Sequence, residues 1–298
     1  MRTPVILRML GSAGRAWWDD DALRLGASLA YYTLFAIAPV LLVATAIAGM
    51  VFGAEAVRGE IVGQLDDFFG REGALAVQSL LEGASRRRAG IVATVIGSIA
   101  FMVAATGAFL ELQVALNTIW RVKPNPGIHF KAFVIDRLRS FGLVVAIGFL
   151  LLVSLTVTAA LAALNAWLSS LAPQFPAVWS AISLLVSLVV TSGLFALLFR
   201  SLPDVRLRWK DVTTGAVVTA VLFTIGQQVI GLYLGQSSMA SSYGAAGSMM
   251  ILLLWVYYSC QILLFGAEFT RVWAARHGAR PKPEAFAVKD PDAIRGPA

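Results

Sequence analysis

Glu268 follows Gly266 and Ala267 in the last long apolar run of the chain. Tyr257, Gln261 and Leu264 precede it at steps of four, three and four residues. That spacing places all four side chains on one face of a helix. A carboxylate within apolar sequence is costly in hydrocarbon and calls for a partner or a water-lined cavity. Arg271, three residues on, is one candidate partner, because i,i+3 neighbours meet on a helix surface. Arg121, at the end of LNTIWR, is the other. Two further stripes carry polar groups. Ser28, Tyr31, Tyr32 and Phe35 share a face with Pro39, and Thr213, Ala220, Thr224, Gln227, Gln228 and Gly231 line up in a later run. Such stripes either line a path for a polar headgroup or supply hydrogen bonds that hold helices together.

Hydrolytic chemistry finds less support. The chain has two histidines, His129 and His277, in separate segments, and one cysteine, Cys260. Metal-assisted hydrolysis needs clustered His, Asp, Glu or Cys ligands, and no such spacing occurs. The HExxH, GxSxG and Walker A patterns are absent, and no apolar run carries an aspartate pair. No catalytic residue, metal site or cofactor is assigned, and the chain is not expected to be an enzyme. A single cysteine also excludes an intrachain disulfide.

The elements that must position the polar stripes are membrane spans. Of the 298 residues, 58% are hydrophobic and 14% charged, a composition that a soluble domain of this size would carry only by exposing large apolar patches. Six runs are long enough to cross a bilayer as helices: about 27–52, 90–110, 141–164, 178–199, 212–234 and 246–269. The reading is an all-α membrane protein with six transmembrane helices. Residues 1–26 are expected to form an interfacial helix rather than a signal peptide, 27–277 the membrane domain, and 278–298 a flexible Pro- and charge-rich tail. Pro39 interrupts an uncharged run, which predicts a kink in the first span that opens space beside a neighbour. Between the first two spans, the 53–89 loop repeats Val57, Ile61, Leu65 and Phe68 at helical spacing, so a periplasmic amphipathic helical segment is expected there.

Lys and Arg set the orientation. Nineteen of 24 fall in 1–26, 111–139, 200–211 and the stretch from 270 onwards; the other five fall in 53–89. By the positive-inside rule both termini are expected in the cytoplasm. That distribution also accounts for the net charge of +7 without nucleic acid. Arg86, Arg87 and Arg88 form an outer basic cluster that runs against the trend, facing outer headgroups or solvent.

The stretches ASLAYYTLFAIAP (27–39), LNTIWR (116–121), LPDVRLRWKDVTTGA (202–216) and YGAAGSMMILLLWVYYS with GAE (243–259, 266–268) resemble, in this order, the YihY/BrkB family over about residues 15–277. The resemblance implies a six-span bacterial inner-membrane protein. The family has carried a ribonuclease BN label, which the two separated histidines do not support, and a role in moving envelope lipids has been suggested for members. The expected function is a non-enzymatic transporter or flippase-like protein for lipid or another amphipathic envelope molecule. The alternative is a membrane scaffold for envelope-biogenesis machinery. Expected partners are membrane lipids, with other envelope-biogenesis proteins and a second copy of the chain as further candidates.

Overall fold

The computed structural model describes residues 5–36, 106–125, 176–236, 245–277, 281–284 and 287–290. Pro39, Arg86, Arg87, Arg88, the 53–89 loop, the third span and most of the first two lie outside the described residues. The chain is predominantly helical: α1 Val5–Asp19, α2 (22–36), α3 (106–119), α4 Pro176–Ser201, α5 Trp209–Gln236 and α6 Ala245–Arg276. Ala181–Ser201, Trp209–Leu232 and Met249–Arg276 are long and apolar enough to cross a membrane. Four short strands accompany them: β1 Val122–Pro124, β2 Val205–Arg206, β3 Lys282–Pro283 and β4 Ala287–Lys289.

Local sequence accounts for the helix ends. Pro176 opens α4, where a missing N–H costs nothing and the fixed φ suits a helix. At the start of α5, Asp211 accepts hydrogen bonds from the Arg208 backbone N–H at 3.2 Å and from its guanidinium at 3.0 and 3.1 Å, half of a capping box. The hydrogen bond and charge of that carboxylate raise the Arg208 pKa above its ordinary value. Between α1 and α2 the chain turns at Asp21, with φ 52°, a left-handed conformation that Asp tolerates better than most residues.

The chain divides into two compact units. The first comprises Met1–Ala16, Leu116–Thr224 and Phe265–Ala298. In it, Met9 and Ala13 of α1 bury against Phe269 of α6, flanked by Val218, Phe265 and Trp273. One face of α1 is thus packed on protein, while Ile6 and Leu7 are exposed. On α5, Val212, Ala216, Thr219 and Ala220 are buried, and Val217 and Val221 face outward. The α5–α6 contact is reciprocal. A Cβ on Gly215 would collide with Thr270 Oγ1 and lie 2.9 Å from Thr270 Cα; a Cβ on Gly266 would collide with Thr219 Oγ1. Each threonine hydroxyl donates to the carbonyl four residues back, Thr219 to Gly215 and Thr270 to Gly266, at 2.7 Å. Glycines opposite threonines let the backbones approach while the hydroxyls stay satisfied within their own helices.

Within the stretch expected to be a flexible tail, the described residues 281–284 and 287–290 include two short strands. β4 pairs antiparallel with β1 in the register Val122↔Lys289, Lys123↔Val288 and Pro124↔Ala287. β3 pairs antiparallel with β2, Val205↔Pro283 and Arg206↔Lys282. Proline and charge lower the local helix and core propensity of this segment, but backbone donors and acceptors on two partner strands order it.

The second unit comprises Trp17–Ala115 and Ile225–Leu264. Here α2 meets α3 and α6, and α5 meets α6, through small residues. A Cβ on Gly26 would collide with the Gln261 amide, one on Gly107 would lie 3.0 Å from Tyr32 Cδ1, and one on Gly226 would lie 2.5 Å from Ile262 Cδ1. Ile225, Val229 and Leu232 are exposed along α5, an apolar surface suited to lipid.

Candidate functional site

Two polar constellations sit among these apolar helices, one in each unit. In the second unit, Ser28 Oγ of α2 donates to the Glu111 carboxylate of α3 in a short hydrogen bond. Gly26, two residues earlier, leaves room for Gln261 of α6, whose Nε2 reaches the Leu23 carbonyl at 3.5 Å. That distance marks a weak bond. Gln261 Oε1 is buried with no partner among the described residues. Residues two apart on a helix do not share a face, so the Ser28–Glu111 bond and the Gly26–Gln261 contact lie on different sides of α2.

In the first unit, Glu268 is 0% exposed and takes Arg271 as its partner, with Nε and Nη2 donating to Oε2 at 3.0 and 2.8 Å. The GAE sequence explains the depth: Gly266 admits α5 closely and Ala267 is itself fully buried. In the same unit, Asn117 and Asp204 exchange two buried hydrogen bonds. Asn117 Nδ2 donates to Asp204 Oδ2 at 2.7 Å, and the Asp204 backbone N–H donates to Asn117 Oδ1 at 2.8 Å. This clamp joins the LNTIWR corner to the LPD corner.

The tail attaches to the same two corners. The Glu284 N–H donates to the Asp204 carbonyl and the Asp290 N–H to the Arg121 carbonyl, each at 2.9 Å. Lys123 pairs with Asp290 at 3.0 Å. Arg121 itself has φ 56° and closes α3 as a left-handed cap, the position glycine usually fills. At the neighbouring helix junction, the Arg200 guanidinium lies 4.2 Å from the centre of the Trp209 ring, a cation–π contact.

The other residues singled out by sequence fall as follows. Tyr31 and Tyr32 are exposed on α2, their rings edge to face at 5.7 Å, with Phe35 extending the row at 4.9 Å from Tyr31. Thr224 donates to the Ala220 carbonyl of its own helix at 2.9 Å. Gln227 and Tyr257 are half-buried, and Gln228 is exposed. Arg271 pairs with Glu268. Sequence reasoning did not single out Glu111, Asn117, Asp204, Trp120 or Lys289. For the middle three the signal was present, since LNTIWR and LPD were recognised as motifs without their side chains being paired.

Apolar helices long enough to span a bilayer, with ion-paired and hydrogen-bonded groups buried between them, define a polytopic α-helical membrane protein. The model of the family described as Virulence factor BrkB matches residues 13–290, and the chain belongs to that family. It is similar to UPF0761 membrane proteins of three bacteria. The protein of Ralstonia nicotianae is 27% identical, over 84% of this chain and 55% of the relative. That of Psychrobacter sp. is 26% identical, over 84% of this chain and 45% of the relative. That of Rhodospirillum centenum is 26% identical, over 90% of this chain and 58% of the relative. The chain therefore spans about half the length of these relatives. No solved structure matches it.

Proposed function

We propose that the protein is a non-enzymatic transporter or flippase-like protein for lipid or another amphipathic envelope molecule. In this reading it has six spans in the bacterial inner membrane, with both termini in the cytoplasm. The observation that carries the reading is the part-buried Ser28–Glu111 hydrogen bond between α2 and α3. Ionisable and amide groups within membrane helices are costly, and they are characteristic of paths for polar cargo. A headgroup passing α2 would exchange hydrogen bonds with these side chains while its acyl chains stayed in lipid. The 19-to-5 division of Lys and Arg supports the orientation.

Reconstitution into liposomes containing fluorescently labelled lipids tests the function. Wild-type protein should expose inner-leaflet label to an impermeant quencher, and Glu111→Gln and Ser28→Ala should slow that exposure. Inert wild-type proteoliposomes, with a partner protein that copurifies stably, would favour the scaffold alternative instead. Orientation is tested by cysteines introduced into a Cys260→Ala background. Ser169→Cys should react with an impermeant thiol reagent in intact cells, and Ala279→Cys should not; the reverse pattern overturns the topology.

A further inference from the structure

The short connection between α4 and α5, in the first unit, carries a charge arrangement that strand pairing makes unfavourable. β2 and β3 pair antiparallel with Arg206 directly opposite Lys282. Residues directly opposite in such a pair project from the same face, and like charges there repel. Both are exposed, while Val205, the preceding residue of β2, is buried on the other face. Neither Arg206 nor Lys282 makes an ion pair with a described residue. Of the carboxylates on the same connection, Asp204 is hydrogen-bonded to Asn117 and Asp211 holds Arg208. Connectivity sets the depth of the pair. Ala181–Ser201 and Trp209–Leu232 are each long and apolar enough to cross a bilayer, and β2 lies between them. Arg206 precedes Trp209 by three residues, so it sits within about 11 Å of the start of that span. The headgroup layer extends about 5–8 Å beyond the hydrocarbon core. At the same level Trp209 is 47% exposed, with the Arg200 guanidinium over its ring, and both residue types favour the membrane interface.

We infer that Arg206 and Lys282 together dock the anionic headgroup of a membrane lipid, in the leaflet that the α4–α5 connection faces. A phosphodiester oxygen set between the two cations offsets the repulsion that backbone pairing imposes on them. The guanidinium supplies planar, paired donors to phosphate oxygens, and the ammonium a flexible point charge. Lys210 and Arg200, at the adjoining ends of α5 and α4, add to the positive field. A lipid is favoured over a soluble anion because the two spans hold the pair at the bilayer surface, where anionic headgroups are concentrated and attract basic residues. β3 belongs to the C-terminal stretch, so a headgroup bound to both strands also fastens that stretch to the α4–α5 connection. The inference concerns binding alone and does not depend on whether lipid crosses the membrane.

The test uses the full chain in a neutral detergent, titrated by microscale thermophoresis with dioctanoylphosphatidylglycerol, dioctanoylphosphatidylcholine and inorganic phosphate. With two basic residues at its headgroup, the anionic lipid should bind saturably and about 30-fold more tightly than the zwitterionic one at low salt. That margin should shrink as salt is raised. The double variant Arg206→Gln, Lys282→Gln should lose the margin, with its melting temperature unchanged or raised because the cross-strand repulsion is gone. The exchange Arg206→Lys, Lys282→Arg keeps both charges and should retain most of the margin. Equal affinity for the two lipids overturns the inference, as does a double Gln variant that keeps the preference. Loss of the preference only in proportion to lost folded protein also overturns it. Inorganic phosphate that binds as tightly as the anionic lipid overturns the choice of a lipid and makes the pair a site for a soluble anion.

Discussion

Arg271→Gln and Glu268→Gln remove the two halves of one ion pair, and the burial of each half makes their costs unequal. Glu268 is 0% exposed and the Arg271 side chain 23%. Without Arg271 the carboxylate loses an ion-pair partner in a site water does not reach, and breaking a buried pair in this way costs about 3–5 kcal/mol. Glu268→Gln keeps the shape and an acceptor oxygen. It turns charge-assisted bonds into bonds roughly half as strong, and the remaining guanidinium already touches solvent. The expected cost is about 1 kcal/mol. The double variant removes both charges and should lie close to Glu268→Gln alone, because no uncompensated ion remains. Thermal unfolding of purified protein in one detergent measures all three. At about 2–4 °C per kcal/mol for chains of 150–250 residues, Arg271→Gln should melt at least about 4 °C below Glu268→Gln. Equal melting points, or a double variant worse than Arg271→Gln, would refute the assignment of Arg271 as a stabilising ion-pair partner of the buried Glu268.

Gly215→Ala and Gly266→Ala should each destabilise by about 1–3 kcal/mol through overpacking, but only the second should be rescued by trimming its neighbour. The atoms nearest a Gly266 Cβ are all side-chain atoms of Thr219, whereas Thr270 Cα lies 2.9 Å from a Gly215 Cβ. Thr219→Gly should therefore recover Gly266→Ala, less about 1 kcal/mol for a glycine in a helix, and Thr270→Gly should not recover Gly215→Ala. Asn117→Ala should cost about 2–4 kcal/mol by leaving the buried Asp204 carboxylate and N–H without their partner. Asn117→Asp should be worse, since it sets two carboxylates against each other; chemical denaturation would check the order.

How much of this was legible in sequence depended on the range of the interaction. Apolar length is a local signal, and it located the three described spans. The α6 stripe was legible for the same reason: Gln261 and Glu268 share a face by spacing, and both meet neighbours in the structure. The α5 stripe was less informative. Thr213, Thr224, Gln227 and Gln228 drew attention by polarity, yet the contact with α6 is built on Gly215 and Thr219. Helix approach is governed by how little side chain intervenes, and a threonine that bonds its own backbone announces no partner. The short tail strands were not legible because strands of two or three residues carry no periodicity. Their partners, at 122–124 and 205–206, lie far away in sequence.

Lys289 shows how non-local bonds deliver a charged group to a particular place. Asn117 and Asp204, 87 residues apart, fix the two corners against each other. The Asp204 carbonyl then receives the Glu284 N–H and the Arg121 carbonyl receives the Asp290 N–H, so each corner anchors one part of the tail. With both anchors made, β4 has one register, and it sets Lys289 opposite Val122. Alternate strand residues point to opposite faces, so a slip of one residue would put Val288 at that position and turn Lys289 away. A strand of three residues has little intrinsic preference among registers. The backbone bond at Asp290, its ion pair with Lys123 at 3.0 Å and the upstream bond at Glu284 supply that preference. The placement of Lys289 opposite Val122 therefore depends on the buried Asn117–Asp204 clamp.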